Sequence, residues 1–199
     1  MLPNIHILGI QGSGKGTQAG LLEKKYGFTS MASGNLFRLR AQKQDDFGQD
    51  IANKLATGYL LPDEYVTRII TDFFASHTIE KGLLGDGVIR TISQYDGFMS
   101  IWEAHNMSQP FLIHLKLSDE EALKRIAKRG KDDLVERHDI TSEAIQHRIH
   151  DYHVLTEPVI DRFQKVNRIV TIDASDSIEV VFSHISTALE KAFPHLEQV

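Results

Sequence analysis

The residues best suited to chemistry stand close to the start of the chain. Gly9-Ile10-Gln11-Gly12-Ser13-Gly14-Lys15-Gly16-Thr17 follows the apolar run Ile5–Leu8 and precedes a helical pattern over Gln18–Lys25. Strand, glycine-rich turn and helix, in that order, is the context that a phosphate-binding loop requires. Glycines let the backbone turn tightly enough for successive N–H groups to point inward at phosphate oxygens. The helix N-terminus behind them adds partial positive charge, and Lys15 would reach the β- and γ-phosphates of a bound nucleotide. The strict form of the motif places Ser or Thr directly after the lysine; here Gly16 stands there and Thr17 comes one residue later.

No Ser–His or His–Asp pair declares itself as a nucleophile and base. His147, His150 and His153 recur every third residue, but steps of three drift round a 3.6-residue turn, and no cysteine or clustered carboxylate completes a tetrahedral set. These three read as a solvated face, while His6 and His114 fall within apolar runs and read as hydrogen-bonded interior residues.

The elements that must position the loop follow from the apolar pattern. Runs at Ile5–Leu8, Leu83–Leu84, Phe111–Leu117 and Ile169–Ile172, with Phe28–Met31 as a short fifth, alternate with helical patterns. Such alternation predicts a three-layer α/β/α fold with a five-stranded parallel sheet covered on both faces. Ligands of such sheets bind beyond the carboxyl ends of the strands, where the glycine loop and Asp86 both lie. Pro62-Asp63-Glu64 opens a helix whose apolar positions are Val66, Ile69, Ile70, Phe73 and Phe74. Ser118 with Glu121 forms a capping box for the next helix, on which Arg125 and Arg129 share a face. A further helix starts at Thr141 or Ser142, with Ile145, Ile149, Tyr152 and Leu155 as its apolar stripe, and Pro158 should kink or end it. The last helix is expected from about Ser175 to Ala192.

The 199 residues are 41% hydrophobic and 25% charged, enough for one domain with a large core and small inserts. The division expected is a core of 1–29, 61–129 and 141–199, a helical insert at 30–60 and a short lid at 130–140. A net charge of −5 without any basic run argues against nucleic acid. No apolar run approaches a membrane span and no charged-then-apolar leader precedes the first strand. The absence of cysteine excludes disulfides and thiolate zinc sites. The expectation is a cytoplasmic monomer that binds neither membrane nor nucleic acid and carries no zinc.

Read together, several stretches resemble the adenylate kinases and related nucleoside monophosphate kinases. The loop is similar to that family's Gly-x-x-Gly-x-Gly-Lys-Gly-Thr-Gln, and Ser33-Gly34-Asn35-Leu36-Phe37-Arg38 resembles its Ser/Thr-Gly-Asp-x-x-Arg. Gly58-Tyr59-Leu60-Leu61-Pro62-Asp63-Glu64 is similar to Gly-x-Leu-Val-Pro-Asp-Glu, and Asp86-Gly87-Val88-Ile89-Arg90-Thr91-Ile92-Ser93-Gln94 to Asp-Gly-Phe-Pro-Arg-Thr-x-x-Gln. Arg125, Arg129, Arg137, Asp139 and Arg148 fall at matching spacings, and the short 130–140 stretch resembles the short-lid members.

The resemblance implies phosphoryl transfer from MgATP to AMP, giving two ADP. Positioning and charge neutralisation dominate that chemistry, and arginine suits it because its planar fork binds phosphate bidentately and stays charged. By the same resemblance, Gly12, Ser13, Gly14, Lys15, Gly16 and Thr17 would hold ATP phosphates, with Arg125 and Asp176 also on the ATP side. Asp86 would sit near Mg2+ through water. Ser33, Arg38, Tyr59, Leu60, Leu61, Gly87, Val88, Ile89, Arg90 and Gln94 would form the AMP site, joined by Arg137 and Arg148. Lys15, Arg90, Arg129, Arg137 and Arg148 would be catalytic, closing on the transferring group.

Four departures bear on the acceptor site and lid. Val88-Ile89 replaces Phe-Pro and loses a ring contact and the φ restraint of proline. Gly85 stands where the family has a bulky apolar residue, which implies room and a more flexible strand end. Asn35 replaces an aspartate, and Ile140 the second of two aspartates after Arg137-His138. Two alternatives therefore remain open beside AMP: a kinase for another nucleoside monophosphate such as CMP or UMP, and a nucleotide-binding regulator with little turnover. Ser33 and Gln94 favour adenine, since an amide can pair both donor and acceptor edges of that base, and the lid arginines speak against a pure sensor.

Overall fold

A computed structural model of the chain describes residues 2–79, 81–132 and 142–196. Five strands, β1 (Ile5–Gly9), β2 (Thr29–Ala32), β3 (Leu83–Asp86), β4 (Phe111–Lys116) and β5 (Ile169–Asp173), form one sheet in the order β2-β3-β1-β4-β5. Every pairing is parallel. The central strand β1 is buried along its whole length, which is why it reads as an unbroken apolar run rather than an alternating one.

Helices cover both faces. On one, Ile5, Ile7, Leu84, Ile113 and Leu115 pack against Leu22 of α1 (Lys15–Tyr26) and Ile185 and Leu189 of α9 (Ile178–Ala192). On the other, Leu8, Leu83 and Leu112 meet α4 (Asp63–Ser76) through Phe73, α5 (Ile92–Ala104) through Phe98, and α8 (Glu157–Lys165) through Val159 and Phe163. Two short helices, α2 (Ser33–Ala41) and α3 (Asp46–Ala56), lie between β2 and α4, and α6 (Asp119–Asp132) follows β4. The three-layer α/β/α arrangement expected from the sequence is the one observed.

Several boundaries differ from expectation. The insert expected to be helical over 30–60 begins in the sheet, because Ser30–Ala32 pair with β3 as part of β2. The stretch from Gly130 is helical as far as Asp132, since α6 continues to that residue; 133–141 lies outside the described residues. The last helix begins at Ile178 and not near Ser175. Asp173 Oδ1 accepts the Ser175 N–H at 2.9 Å, and the Ser177 hydroxyl caps Val180 N–H at 3.4 Å, so the local side-chain bonds hold Ser175 out of the helix.

The largest difference concerns the helix that was expected to carry Tyr152 and Leu155 on its apolar stripe. It begins as α7 (Ser142–Asp151), passes through a π turn at Tyr152–Thr156 and resumes as α8. Glu157 N–H donates to Tyr152 O, five residues back. The extra residue rotates Leu155 outward and buries Thr156 in its place. Pro158 falls in the first turn of α8, where a missing N–H costs nothing.

Candidate active site

The sheet order reverses at β1 and β3, so a crevice opens beyond their carboxyl ends. The turn after β1 is shaped by Gly12 and Gly14, whose φ angles of 89° and 87° lie in the left-handed region that other residues avoid. Gly14 caps α1, so the helix N-terminus opens on the loop. Lys15 folds back across it, Nζ donating to Gly9 O at 2.7 Å and Ile10 O at 3.0 Å. Burial pushes the Lys15 ammonium down to about 8, with Asp86 opposing and Arg90 adding to the fall. Ser13 Oγ and Gln11 Oε1 are buried without a hydrogen-bond partner. Gln18, by contrast, is tied through Nε2 to Ile178 O at 3.0 Å, which joins α1 to the start of α9.

Asp86 ends β3 beside this loop. A Cβ on Gly16 would lie 3.5 Å from Asp86 Oδ2, so the carboxylate faces the first turn of α1. Burial raises its pKa, against the pull of Lys15 and Arg90. Among the described residues no group of three or more His, Asp or Glu forms a metal cage. A single carboxylate beside a phosphate loop does fit Mg2+, which keeps most of its waters and borrows oxygens from substrate phosphates.

The turn after β3 forms the second half of the crevice. Gly87 N–H donates to Ile7 O at 3.1 Å, and its carbonyl accepts from Ser33 Oγ at 3.0 Å and Arg90 Nε at 2.9 Å. Arg90 is held by its backbone as well: its N–H donates to Gln94 Oε1 at 2.7 Å and its carbonyl accepts from Thr156 Oγ1 at 3.1 Å. Burial lowers the Arg90 pKa, with Asp86 opposing; Lys15, Asp86 and Arg90 therefore form one electrostatic group. Gln94 Nε2 donates to Asp63 Oδ1 at 2.8 Å, and Thr91 Oγ1 bonds the same carboxylate while capping Gln94 N–H at 3.0 Å. Each face of the Gln94 amide thus already has a partner, leaving one donor and one lone pair for a base.

The remaining site residues divide. Arg38 folds along its own helix, Nη2 bonding Asn35 Oδ1 at 2.5 Å. Arg148 Nε donates to Gly58 O at 2.9 Å, and His147 packs edge-on to Tyr59 at 4.1 Å, so α7 rests on the loop between α3 and α4. Tyr59 is exposed, Leu60 is half-buried and Leu61 is buried. Val88 and Ile89 both turn their side chains into the core. On the other side Arg125 bridges Glu121 Oε1 at 2.9 Å to the carbonyls of Ala174 and Ser175, each at 2.8 Å, next to exposed Asp176. Of Arg129 only the backbone is described; Arg137, Asp139 and Ile140 lie outside the described residues.

Two expectations need correction. Gly85 does not leave room at the end of β3, because the His6 ring occupies the space: a Cβ there would lie 2.4 Å from His6 Nδ1. Asp63, expected only to open a helix, and Thr156, for which no role was expected, anchor Gln94 and Arg90. For Asp63 the signal was present, since it belongs to the Pro62-Asp63-Glu64 motif. Thr156 gave none, as its burial depends on the π turn. Of the histidines, His153 joins Asp119 to Glu157 while His147 faces Tyr59 and Asp151, so they take separate partners.

A glycine loop with a half-buried lysine and, across a lone carboxylate, an arginine seated in a second turn define a P-loop phosphotransferase. Comparison with known proteins narrows the class. The sequence model of the adenylate kinase family matches residues 7–168. Adenylate kinase of Azobacteroides pseudotrichonymphae is 33% identical over 96% of this chain and 98% of its own. Those of Bacteroides thetaiotaomicron and Methanosarcina barkeri are each 31% identical over 94% of this chain, covering 98% and 99% of their own. The chain belongs to the adenylate kinase family.

Proposed function

We propose that this chain transfers the γ-phosphoryl group of ATP to AMP, reversibly, through the crevice between the two turns. A phosphate oxygen of AMP, already ionised at neutral pH, attacks the γ-phosphorus; the bond to the β-γ bridging oxygen breaks and ADP leaves, so no proton changes hands. Lys15 and the loop amides of Gly12 to Thr17 hold the β- and γ-phosphates. Arg90 and Arg38 grip the acceptor phosphate, with Ser33, Gly87, Val88, Ile89 and Gln94 lining its nucleoside and Tyr59–Leu61 bordering it. Arg129, Arg137 and Arg148 neutralise the transferring group, and Arg125 and Asp176 lie on the ATP side. Asp86 would hold Mg2+ through water, which supplies charge neutralisation between the phosphates. Segments 30–60 and 130–140 close over the core as monophosphate insert and lid, within one monomeric, cytoplasmic domain that has no membrane or nucleic-acid partner.

The observation that supports this most strongly is the grouping of Lys15, Asp86 and Arg90, which couples an ATP-phosphate cation to an acceptor-phosphate cation across one carboxylate. Initial rates with MgATP against AMP, CMP, UMP, GMP and dTMP in parallel test it. AMP should be the best acceptor. A better rate with a pyrimidine monophosphate moves the acceptor assignment, and ATP binding without turnover of any acceptor overturns the kinase reading.

A further inference from the structure

His6 sits in the middle of β1, fully buried, where the register pairs it with Gly85 of β3. Its ring lies against Phe98 of α5 at 6.1 Å and fills the space that any side chain on Gly85 would need. Nε2 accepts the Ile89 N–H at 3.2 Å. Nδ1 is buried with no hydrogen-bond partner.

An interior ring could be mere filling, but the orphaned Nδ1 argues otherwise. An apolar side chain of similar volume would fill the gap without burying an unpaired polar atom, which is unfavourable. What histidine supplies and leucine does not is an acceptor for the Ile89 N–H. That N–H belongs to the Val88–Ile89 peptide, one before the peptide that carries Arg90 N–H, in the turn also tied by Gly87 N–H to Ile7 O and Arg90 N–H to Gln94. The departures at Gly85 and Ile89 thereby gain a common cause: the ring requires glycine at 85, and its bond requires a residue with an N–H at 89.

We propose that His6 is a positioning residue for the acceptor turn, its imidazole holding the Ile89 N–H from inside the core and so fixing the backbone that carries Gly87 and Arg90. The turn that lacks proline is not slack; a hydrogen bond replaces the ring restraint. Burial, with Arg90 nearby, pushes the His6 pKa down to about 3, so the imidazole stays neutral and can accept throughout the working range of pH. The inference rests on reading Gly87–Arg90 as the seat of the monophosphate.

The test compares wild type, His6→Leu, Ile89→Pro and the double variant by steady-state kinetics. His6→Leu should raise KM for AMP by about tenfold, because the turn then spends only a fraction of its time in the binding geometry, and leave KM for ATP within about twofold. In the Ile89→Pro background, with no N–H to satisfy, the same change should alter KM for AMP by less than about twofold. Equal effects on both substrates, or equal effects in both backgrounds, overturn the proposal. The wild type supplies a test that needs no variant to fold: a through-hydrogen-bond coupling between the Ile89 and His6 Nε2 nitrogens in 15N-labelled protein. Its presence supports the bond and its absence overturns it. Failure of the wild type to use AMP is a separate result, which removes the functional reading and leaves the nitrogen coupling to judge the bond.

Discussion

Lys15 carries a proton-linked prediction for ATP binding. In the free protein its ammonium is pushed from an ordinary 10.5 down to about 8, so at pH 8.5 only about a quarter of the molecules hold the proton. Bound β- and γ-phosphates place opposite charge beside Nζ and raise that pKa again. Binding at pH 8.5 should therefore take up about 0.75 proton per ATP, and at pH 7.5 about 0.25. Affinity should fall as pH rises above about 8, approaching tenfold per unit. The sign for the free protein is the reverse. The unfolded chain keeps the Lys15 proton to about 10.5 and the folded one releases it near 8, so this group's contribution to stability grows as pH climbs through that window. Calorimetric titration with ATP in two buffers of different ionisation enthalpy measures the uptake directly. Lys15→Met should abolish the uptake and slow transfer by roughly a hundredfold or more. Uptake that is the same at both pH values, or that survives in Lys15→Met, would refute the assignment of this proton to Lys15.

Two further outcomes are expected. Gly85→Ala forces a methyl to within 2.4 Å of the His6 ring, which has β1, β3 and Phe98 around it; the variant should lose about 1–3 kcal/mol in urea denaturation, and an unchanged midpoint would mean that the ring can move aside. Amide exchange across 30–60 and 130–140 should slow when a bisubstrate analogue binds, as closing inserts require; protection confined to the core strands would deny them that role.

The sheet and the phosphate loop were legible because their signals are local. Five apolar runs next to turn residues gave five strands, and glycines between a strand and a helix gave the loop. What escaped depends on contacts between distant positions. His6 and Gly85 are partners only through the β1–β3 register, so a glycine that looked like empty space was the near wall of a filled one. The Gln94 amide reads as a free base-reader in the sequence, yet Asp63, 31 positions away, holds its nitrogen. The π turn was hidden for a different reason. Helical periodicity pointed to Leu155, and a single inserted residue changes the buried position without changing composition.

That π turn makes chain length, more than residue identity, the conserved quantity one would expect between Arg148 and Thr156. The first bonds Gly58 O from α7, and the second bonds Arg90 O where α8 begins. Val154 and Leu155 between them are exposed and look freely exchangeable. Deleting either, however, would rotate one end of the rod against the other by about 100°. One of the two carbonyls would then lose its donor, although every side chain making the contacts was still present. Surface positions that tolerate almost any substitution can in this way tolerate no insertion or deletion at all.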